Sequence, residues 1–419
     1  MLSTPLLALP SWVPAAGAQA SYVSDGAVLT NGFNSTVPAY YSTFYAGHLL
    51  TDYSSGVANP HMGTHGGVVF RGGGHAGTNY NATCGLRTNG ESIQFVQLNA
   101  PTDWTGNQAL NDNGTAANDA SHLDQGWGDS LLAIDSQKRP ASPHSYAVGD
   151  IMPPTDGGGT YGTFLEVLTP APGQGGNTSV TSAPGSHELP LASDSSVTGN
   201  TWGRSGASAV SSVGWGGSVA SCYVSSQKRV YYGARSAGNL MRWLDVVAGT
   251  HNVGTGTNVF NGFGTSDPDN GVMLSIPDRA VMVGITRNGA AMEIKYAAVD
   301  NDPTALVATT SGDSLFAGPS GDGWQQAFYC TTTGKIILYN LKSTSGGSYD
   351  TTGFYEVTIP TTLTDAWPVA RTALSSGTFQ TGNVWQRPCW MPALKCSLQL
   401  SHNYSTGVST LYAFRPPGT

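Results

Sequence analysis

Charge is scarce in this chain. Eighteen lysines and arginines and 26 aspartates and glutamates make only 11% of 419 residues charged, less than half of the ~25% usual in soluble domains. With a net charge of −8 there is no basic excess to neutralise a phosphate backbone, which argues against a duplex nucleic-acid binder. Long hydrophobic runs are missing too, so no membrane-spanning helix of ~18 apolar residues is expected. Helical periodicity is nearly absent. The two best amphipathic stretches, Asp129-Ser130-Leu131-Leu132-Ala133-Ile134 and Leu240-Met241-Arg242-Trp243-Leu244, fall short of the ~10–12 residues of an ordinary helix. Cysteine is sparse. Cys84, Cys222, Cys330, Cys389 and Cys396 show no CxxC spacing, so buried free thiols are expected. A Cys389–Cys396 disulfide across a hairpin turned at Pro392-Ala393 is the alternative. Residues 1–20 end Ala18-Gln19-Ala20, which mimics a signal-peptidase site. No basic residue precedes Arg71, however, and Pro5, Pro10 and Pro14 interrupt the apolar run, so a secretory signal is not expected.

What the chain has instead is glycine and aromatic residues. Its 55 glycines are about twice the usual ~7%, and 10 Trp, 18 Tyr and 12 Phe accompany them. Disordered segments lack aromatics because they have no core to hold them. Glycine, serine, threonine and asparagine together with aromatics describe a turn-rich β protein.

A hairpin recurs. Arg229-Val230-Tyr231-Tyr232, Arg279-Ala280-Val281-Met282, Lys335-Ile336-Ile337-Leu338 and Lys395-Cys396-Ser397-Leu398 each put a basic residue before a strand. Tyr223, Met273, Tyr329 and Cys389 stand six residues ahead of those basic residues, on the preceding strand. Weaker copies begin near Gly67-Val68-Val69-Phe70 and Ser145-Tyr146-Ala147-Val148. The basic residue reads as a solvated turn position that discourages edge pairing. A period of about 50–60 residues with several short strands per unit is the signature of a β-propeller. Such a sheet cannot bury both faces alone, and radial stacking buries them. The expectation is an all-β chain. Residues 1–40 form an irregular N-terminal arm, and 41–419 form a β-propeller of about six four-stranded blades, with seven blades or a flat sandwich array as alternatives. Stretches between Trp104 and Pro143 and between Pro170 and Gly203 read as surface insertions. Ring closure predicts that an early strand completes the blade of Thr410-Leu411-Tyr412-Ala413-Phe414.

The stretch Gly66-Gly67-Val68-Val69-Phe70-Arg71-Gly72-Gly73-Gly74-His75 runs an apolar strand into three glycines, and reads as the first blade's inner strand and its bend toward the channel. As a phosphate cradle it lacks a following Lys-Ser/Thr and a helix. With Asn81 and the strand Ser92-Ile93-Gln94-Phe95-Val96 it resembles the first blade of kelch-like β-propeller proteins of bacteria and tailed bacteriophages. The resemblance extends to Leu9-Pro10-Ser11-Trp12-Val13-Pro14-Ala15, to Pro140-Ala141-Ser142-Pro143-His144-Ser145-Tyr146 and to Phe414-Arg415-Pro416-Pro417. It departs where kelch blades carry a Tyr and a later Trp, since Leu86 and Phe95 stand there and later blades lack the diglycine. The resemblance implies a non-enzymatic, virion-associated propeller. That component would sit in the tail in several copies, assembled in the host cytoplasm, contacting other virion proteins and host surface glycan. The alternative is an exported bacterial kelch-type carbohydrate-binding or carbohydrate-active protein.

Complete catalytic sets are not evident. His61, His65 and His75 lack nearby carboxylates with ligand spacing, so no metal is expected, and a histidine bonded to backbone at the channel is the preferred reading. A copper-radical oxidase on a kelch propeller would need a Cys–Tyr pair, and Cys84, Cys222 and Cys330 read as core or strand positions instead. No cofactor is expected. Glycoside hydrolysis needs two carboxylates ~5–10 Å apart. Asp135, Asp150, Glu166, Asp278 and Asp300 are available, but spacing pairs none of them. The candidate binding residues are Arg71 and His75, flanking the triple glycine, and Trp127, Trp202, Trp215 and Trp324, which lie in glycine-rich surroundings where an indole would stack on a sugar.

Overall fold

The computed structural model describes residues 8–23, 28–30, 55–59, 64–71, 84–97, 130–135, 144–151, 162–168, 220–224, 226–227, 229–233, 241–245, 250–252, 272–288, 291–299, 307–308, 326–339, 348–379, 388–403 and 408–419. The chain is all-β in these residues, with mostly antiparallel sheets. Strand β1 (Gln19–Val23) belongs to the last sheet. The first sheet holds β2 (Leu29–Thr30), β3 (Ser55–Asn59), β4 (Gly67–Arg71), β5 (Cys84–Asn89) and β6 (Ser92–Gln97), in the order β2-β6-β5-β4-β3. The second is β7 (Ser130–Asp135), β8 (His144–Ile151) and β9 (Gly162–Leu168). Four-stranded meanders follow: β10 (Ala220–Val224) to β13 (Thr250–Asn252), through β11 (Arg229–Gly233) and β12 (Met241–Asp245). Next come β14 (Val272–Ile276), β15 (Val281–Asn288), β16 (Ala291–Ala298) and β17 (Val307–Ala308), then β18 (Gln326–Cys330), β19 (Lys335–Tyr339), β20 (Gly353–Thr358) and β21 (Val369–Ala373). The sixth sheet is β22 (Cys389–Met391), β23 (Cys396–Asn403) and β24 (Val408–Phe414), completed by β1.

The recurring hairpin matches these sheets. All six sequence copies fall on the second strand of a sheet: β4, β8, β11, β15, β19 and β23. Arg229 and Lys335 open their strands, opposite Val224 and Cys330. Arg279 instead closes a 3-10 turn, Pro277–Arg279, that Ala280 ends with φ 49. Lys395 also has positive φ, 55. The basic residue therefore drifts against the strand because the turns differ in build.

Alternation explains why strands such as Val281-Met282-Val283 and Ile336-Ile337-Leu338 are apolar on both faces. Val281, Val283 and Ile285 pack toward the fifth sheet, with Ile336, Leu338, Val357 and Trp367, and the Trp367 ring stacks on Tyr296 at 5.6 Å. Met282, on the opposite face, joins Cys222, Val224 and Tyr231 of the third sheet. Ile337, Tyr339, Phe328 and Phe354 face the sixth sheet and enclose Trp390 and Phe414. Third, fourth, fifth and sixth sheets thus stack face to face, and the fourth and fifth are packed on both sides. The first strands touch in a closed cycle, β3 to β7, β10, β14, β18, β22 and back to β3.

Several expectations need correction. Gly67–Arg71 is not the innermost strand of its sheet: β4 lies between β3 and β5, and β3 makes most of the contacts to β7 and reaches β22. Three glycines after a strand mark a turn, and a turn has no preference for which strand precedes it. The supposed insertion between Trp104 and Pro143 carries β7. The two short amphipathic stretches are strands, β7 and β12; too short to nucleate a helix, they gain their hydrogen bonds from neighbours instead. Cys389 and Cys396 share a hairpin but face Leu398 and Met391 across it, and both are free and buried, as are Cys222 and Cys330. Ring closure has the expected form. Gln19 to Val23 pair antiparallel with Phe414 to Thr410.

Candidate functional site

Two sides of the molecule differ in how the strands are joined. On one side the turns after β10, β14 and β18 are short and tied across sheets. The Gln227 side-chain amide, from the β10–β11 turn, donates to the Val299 carbonyl just after β16. The Tyr329 hydroxyl lies 2.6 Å from both carboxylate oxygens of Asp278, in the β14–β15 turn. The Trp390 indole N–H donates to Thr331 Oγ1 at 2.9 Å. The N-terminal segment continues the seam to the first sheet. Trp12 Nε1 donates to the Gly90 carbonyl at 3.1 Å, the Ser11 N–H and hydroxyl both donate to Glu91, and His65 Nε2 meets the Ala8 carbonyl at 3.2 Å while its Nδ1 faces Thr64 Oγ1. His65 is therefore a buried histidine bonded to backbone, at this seam rather than in a channel.

The opposite side is where the first strands begin and where β6, β13 and β17 end. Arg71 ends β4 there, paired with Ser55, the first residue of β3. His75, Trp127, Trp202, Trp215 and Trp324 lie outside the described residues. Of the carboxylates considered for catalysis, Asp278 is engaged by Tyr329 on the seam side. Asp135, Asp150 and Glu166 occupy separate register positions of the second sheet, opposite His144, Thr163 and Ala147. Asp300 is outside the described residues. Among the described residues no group of three His, Cys, Asp or Glu side chains is placed to hold a metal ion, and no helix is long and apolar enough to cross a membrane.

A second candidate lies where the ring closes. A cleft of about 480 Å³ opens between the outer parts of the fifth and sixth sheets, within the ~300–1,000 Å³ range of small-molecule sites. Gln19, Ser21 and Tyr412 line it from the sixth sheet, and Thr351, Thr378 and Phe379 from the fifth. Gln19 and Ser21 share a strand face, and Tyr412 pairs with Ser21, so alternation points all three the same way. Burial raises the pKa of the Tyr412 hydroxyl, which keeps it a neutral donor. The walls are held by backbone: Gln19 N–H donates to the Ser376 carbonyl at 3.1 Å, Ser375 N–H to Gly17 at 2.9 Å and Phe379 N–H to Thr351 at 2.8 Å. Gly377 sits in the left-handed region at φ +83, and a Cβ there would collide with the Gln19 carbonyl oxygen. Only glycine lets the loop approach β1 so closely. Gln19 is 8% exposed, and its Oε1 has no hydrogen-bond partner. Sequence reasoning anticipated a partner strand for Thr410–Phe414 but not this cleft, because Gln19 and Ser21 are more than 300 residues in the chain from Thr351, Thr378 and Phe379 opposite them.

No family model matches the sequence, and no curated protein does. Solved structures align over most of the chain at low identity. The GH93 alpha-L-arabinofuranosidase of Fusarium graminearum in complex with arabinobiose aligns at 10% identity and a TM-score of 0.41, over 86% of this chain and 92% of that one. The PQQ-bound aldose sugar dehydrogenase of Streptomyces coelicolor aligns at 9% and 0.41, over 96% and 99%. TolB from Acinetobacter baumannii aligns at 11% and 0.32, over 87% and 80%. At this level of superposition the likenesses carry no argument about site or chemistry.

Proposed function

We propose that the chain is a six-bladed β-propeller that binds carbohydrate, without cleaving it, at the side where its first strands begin. The closed cycle of first-strand contacts supports six blades. The observation that carries the binding reading joins sequence to topology. Tyr53, Trp127, Trp215, Trp324 and Trp385 stand two to five residues ahead of β3, β7, β10, β18 and β22. A residue that close in sequence lies within roughly 18 Å of the strand it precedes, at ~3.5 Å per residue. Five aromatic residues are thereby tethered to starts of strands that touch one another around the ring. Aromatic faces with amide and hydroxyl neighbours and little charge suit the apolar face and hydroxyl edge of a neutral sugar. Arg71, opposite Ser55 at the start of β3, is on the same side, and His75 stands four residues after it in the chain.

The test is a glycan array on the full chain, followed by Trp127→Ala, Trp215→Ala, Trp324→Ala and Trp385→Ala. A bound glycan is expected whose signal falls about tenfold or more in at least two variants, the scale on which aromatic contacts anchor ligands. Array signal unchanged in all four variants would overturn the reading, and release of new reducing ends from the bound glycan would replace binding with hydrolysis. The sequence resemblance to phage-encoded propellers supports a more specific setting, a tail component presenting this surface to host glycan. Mass spectrometry of purified tailed-phage particles tests that setting, and peptides of this chain at several copies per particle are its expected result.

A further inference from the structure

We propose that residues 8–18 form a pH-sensitive clasp across the closing seam of the ring, held most firmly where His65 is protonated and Glu91 is ionised. The segment brings no charged side chain of its own. At the sixth sheet Gly17 N–H donates to the Arg415 carbonyl at 2.7 Å, and Arg415 N–H to Ala18 at 3.1 Å. At the first sheet it is tied in three places. The Ala8 carbonyl meets His65 Nε2, Trp12 Nε1 donates to the Gly90 carbonyl, and the Ser11 N–H and hydroxyl donate to Glu91. Two of those three ties end on titratable groups. His65 is 5% exposed, so its protons are matched to protein neighbours rather than to water. A carbonyl only accepts, so Nε2 must carry a proton to meet Ala8. Thr64 Oγ1 lies 3.0 Å from Nδ1, accepts the Gly90 N–H at 3.0 Å and stands 3.3 Å from the Thr88 carbonyl. That hydroxyl has a single proton. A neutral ring takes it for Nδ1 and leaves the Thr88 contact without one. A doubly protonated ring donates from both nitrogens, Thr64 keeps its proton for Thr88, and every contact is satisfied at once. Among the described residues Glu91 is the charged group whose field reaches the ring, and Arg87 on β5 donates to Gln94. A bond to Ala8 from a cation is also stronger than one from a neutral ring. Docking of the clasp and protonation of His65 therefore favour each other, and the clasp loosens as pH rises through the range in which histidines titrate, about pH 5–8. The acid side is set by the other tie. Hydrogen bonds from Ser11 hold the Glu91 carboxyl below its usual range, so that tie is intact above about pH 4 and lost as pH falls through the depressed value.

The experiment is hydrogen exchange read by mass spectrometry on the full chain, from about pH 3.5 to 8.5, a span that brackets carboxyl and imidazole titration. Rates are corrected for the intrinsic pH dependence of exchange and compared with those of β19. Protection of residues 8–18 is expected to peak near pH 5–6. It should fall about fivefold or more by pH 8, the difference between a charged and a neutral hydrogen bond, and fall again in acid as Glu91 takes up a proton. His65→Gln keeps an amide donor for Ala8 but cannot titrate, so the alkaline limb should vanish while the acid limb stays. Glu91→Gln should remove the acid limb. Should His65→Gln fail to fold, Thr64→Val takes away the acceptor that the second ring proton needs, and the same flattening of the alkaline limb is expected. Wild-type protection of 8–18 that is flat between pH 5 and 8, or an alkaline limb that survives in the variant, would overturn the proposal. Loss at β19 in step with 8–18 over that range would assign the effect to global unfolding and overturn it as well. The clasp lies on the seam side and the tryptophan variants probe the opposite side, so the two readings fail separately.

Discussion

Phe414→Ala is the sharpest test of how the ring is held shut. Phe414 is 2% exposed and sits at the centre of an aromatic cluster that joins the last two sheets. Its ring centroid lies 4.9 Å from Phe354, 5.1 Å from Phe379, 5.9 Å from Tyr339 and 6.4 Å from Phe328. Its backbone pairs with Gln19 on one side and Ser397 on the other. Truncating a buried phenylalanine costs about 3–5 kcal/mol, the transfer loss plus the cavity left behind. Unfolding entropy of ~2.1 cal/mol/K per residue gives a chain of this length about 0.9 kcal/mol/K. The thermal midpoint should therefore fall by roughly 3–6 °C on that scale. Differential scanning calorimetry reads the shift, and hydrogen exchange reads its place. Amides of Gln19–Val23 should lose protection before those of β18 and β19, since β24 is the one strand that β1 pairs with among the described residues. Phe414→Leu, which keeps most of the volume, should cost less than about 1.5 kcal/mol. A midpoint shift under about 1 °C for Phe414→Ala, or uniform loss of protection across all sheets, would refute the view that this cluster fastens the closure.

Gly377→Ala should destabilise by about 2–4 kcal/mol, a left-handed penalty of ~1–2 plus the collision with the Gln19 carbonyl. Gly17→Ala, also at positive φ but with its nearest neighbour at 3.3 Å, should lose only the first part in a urea titration. Hydrogen bonds from Arg371, with the Thr352 N–H in support, hold the Asp350 carboxyl below its usual range. Its contribution is present above about pH 4 and lost as pH falls through the depressed value. Asp350→Asn should remove that acid limb, at a cost of up to about 1 kcal/mol at neutral pH because the pair is partly exposed. Burial raises the hydroxyls of Tyr22, Tyr329, Tyr339 and Tyr412. Stability should be full below about pH 10 and decline above it, where the unfolded chain loses protons first, and Tyr329→Phe should shallow that decline. Burial pushes the Cys389 thiol up to about 12 and raises Cys222 and Cys396 further. Ellman's reagent should find these thiols unreactive until denaturant is added.

Local chemistry determined a good deal of this protein from sequence. Scarce charge, abundant glycine and aromatic residues, and the absence of helical periodicity made it all-β. The recurring hairpin located the second strand of every sheet, because a short turn between two apolar strands is specified by adjacent residues. Strands apolar on both faces, such as Ile336-Ile337-Leu338, implied sheets covered on both sides. Tertiary structure decided the rest. Order within a sheet is non-local: nothing in Gly67–Arg71 says that Ser55–Asn59 lies inside it. His65 could be read as a ligand until the Ala8 carbonyl met its ring. The cleft is the extreme case. Gln19 looks like an ordinary polar residue in a short strand, and Gly377 like one glycine among many. Only when β1 closes the ring against β24 does the glycine become obligatory and the glutamine oxygen buried without a partner. Sequence patterns report what a residue needs from its neighbours in the chain, and closure brings together residues that were never neighbours.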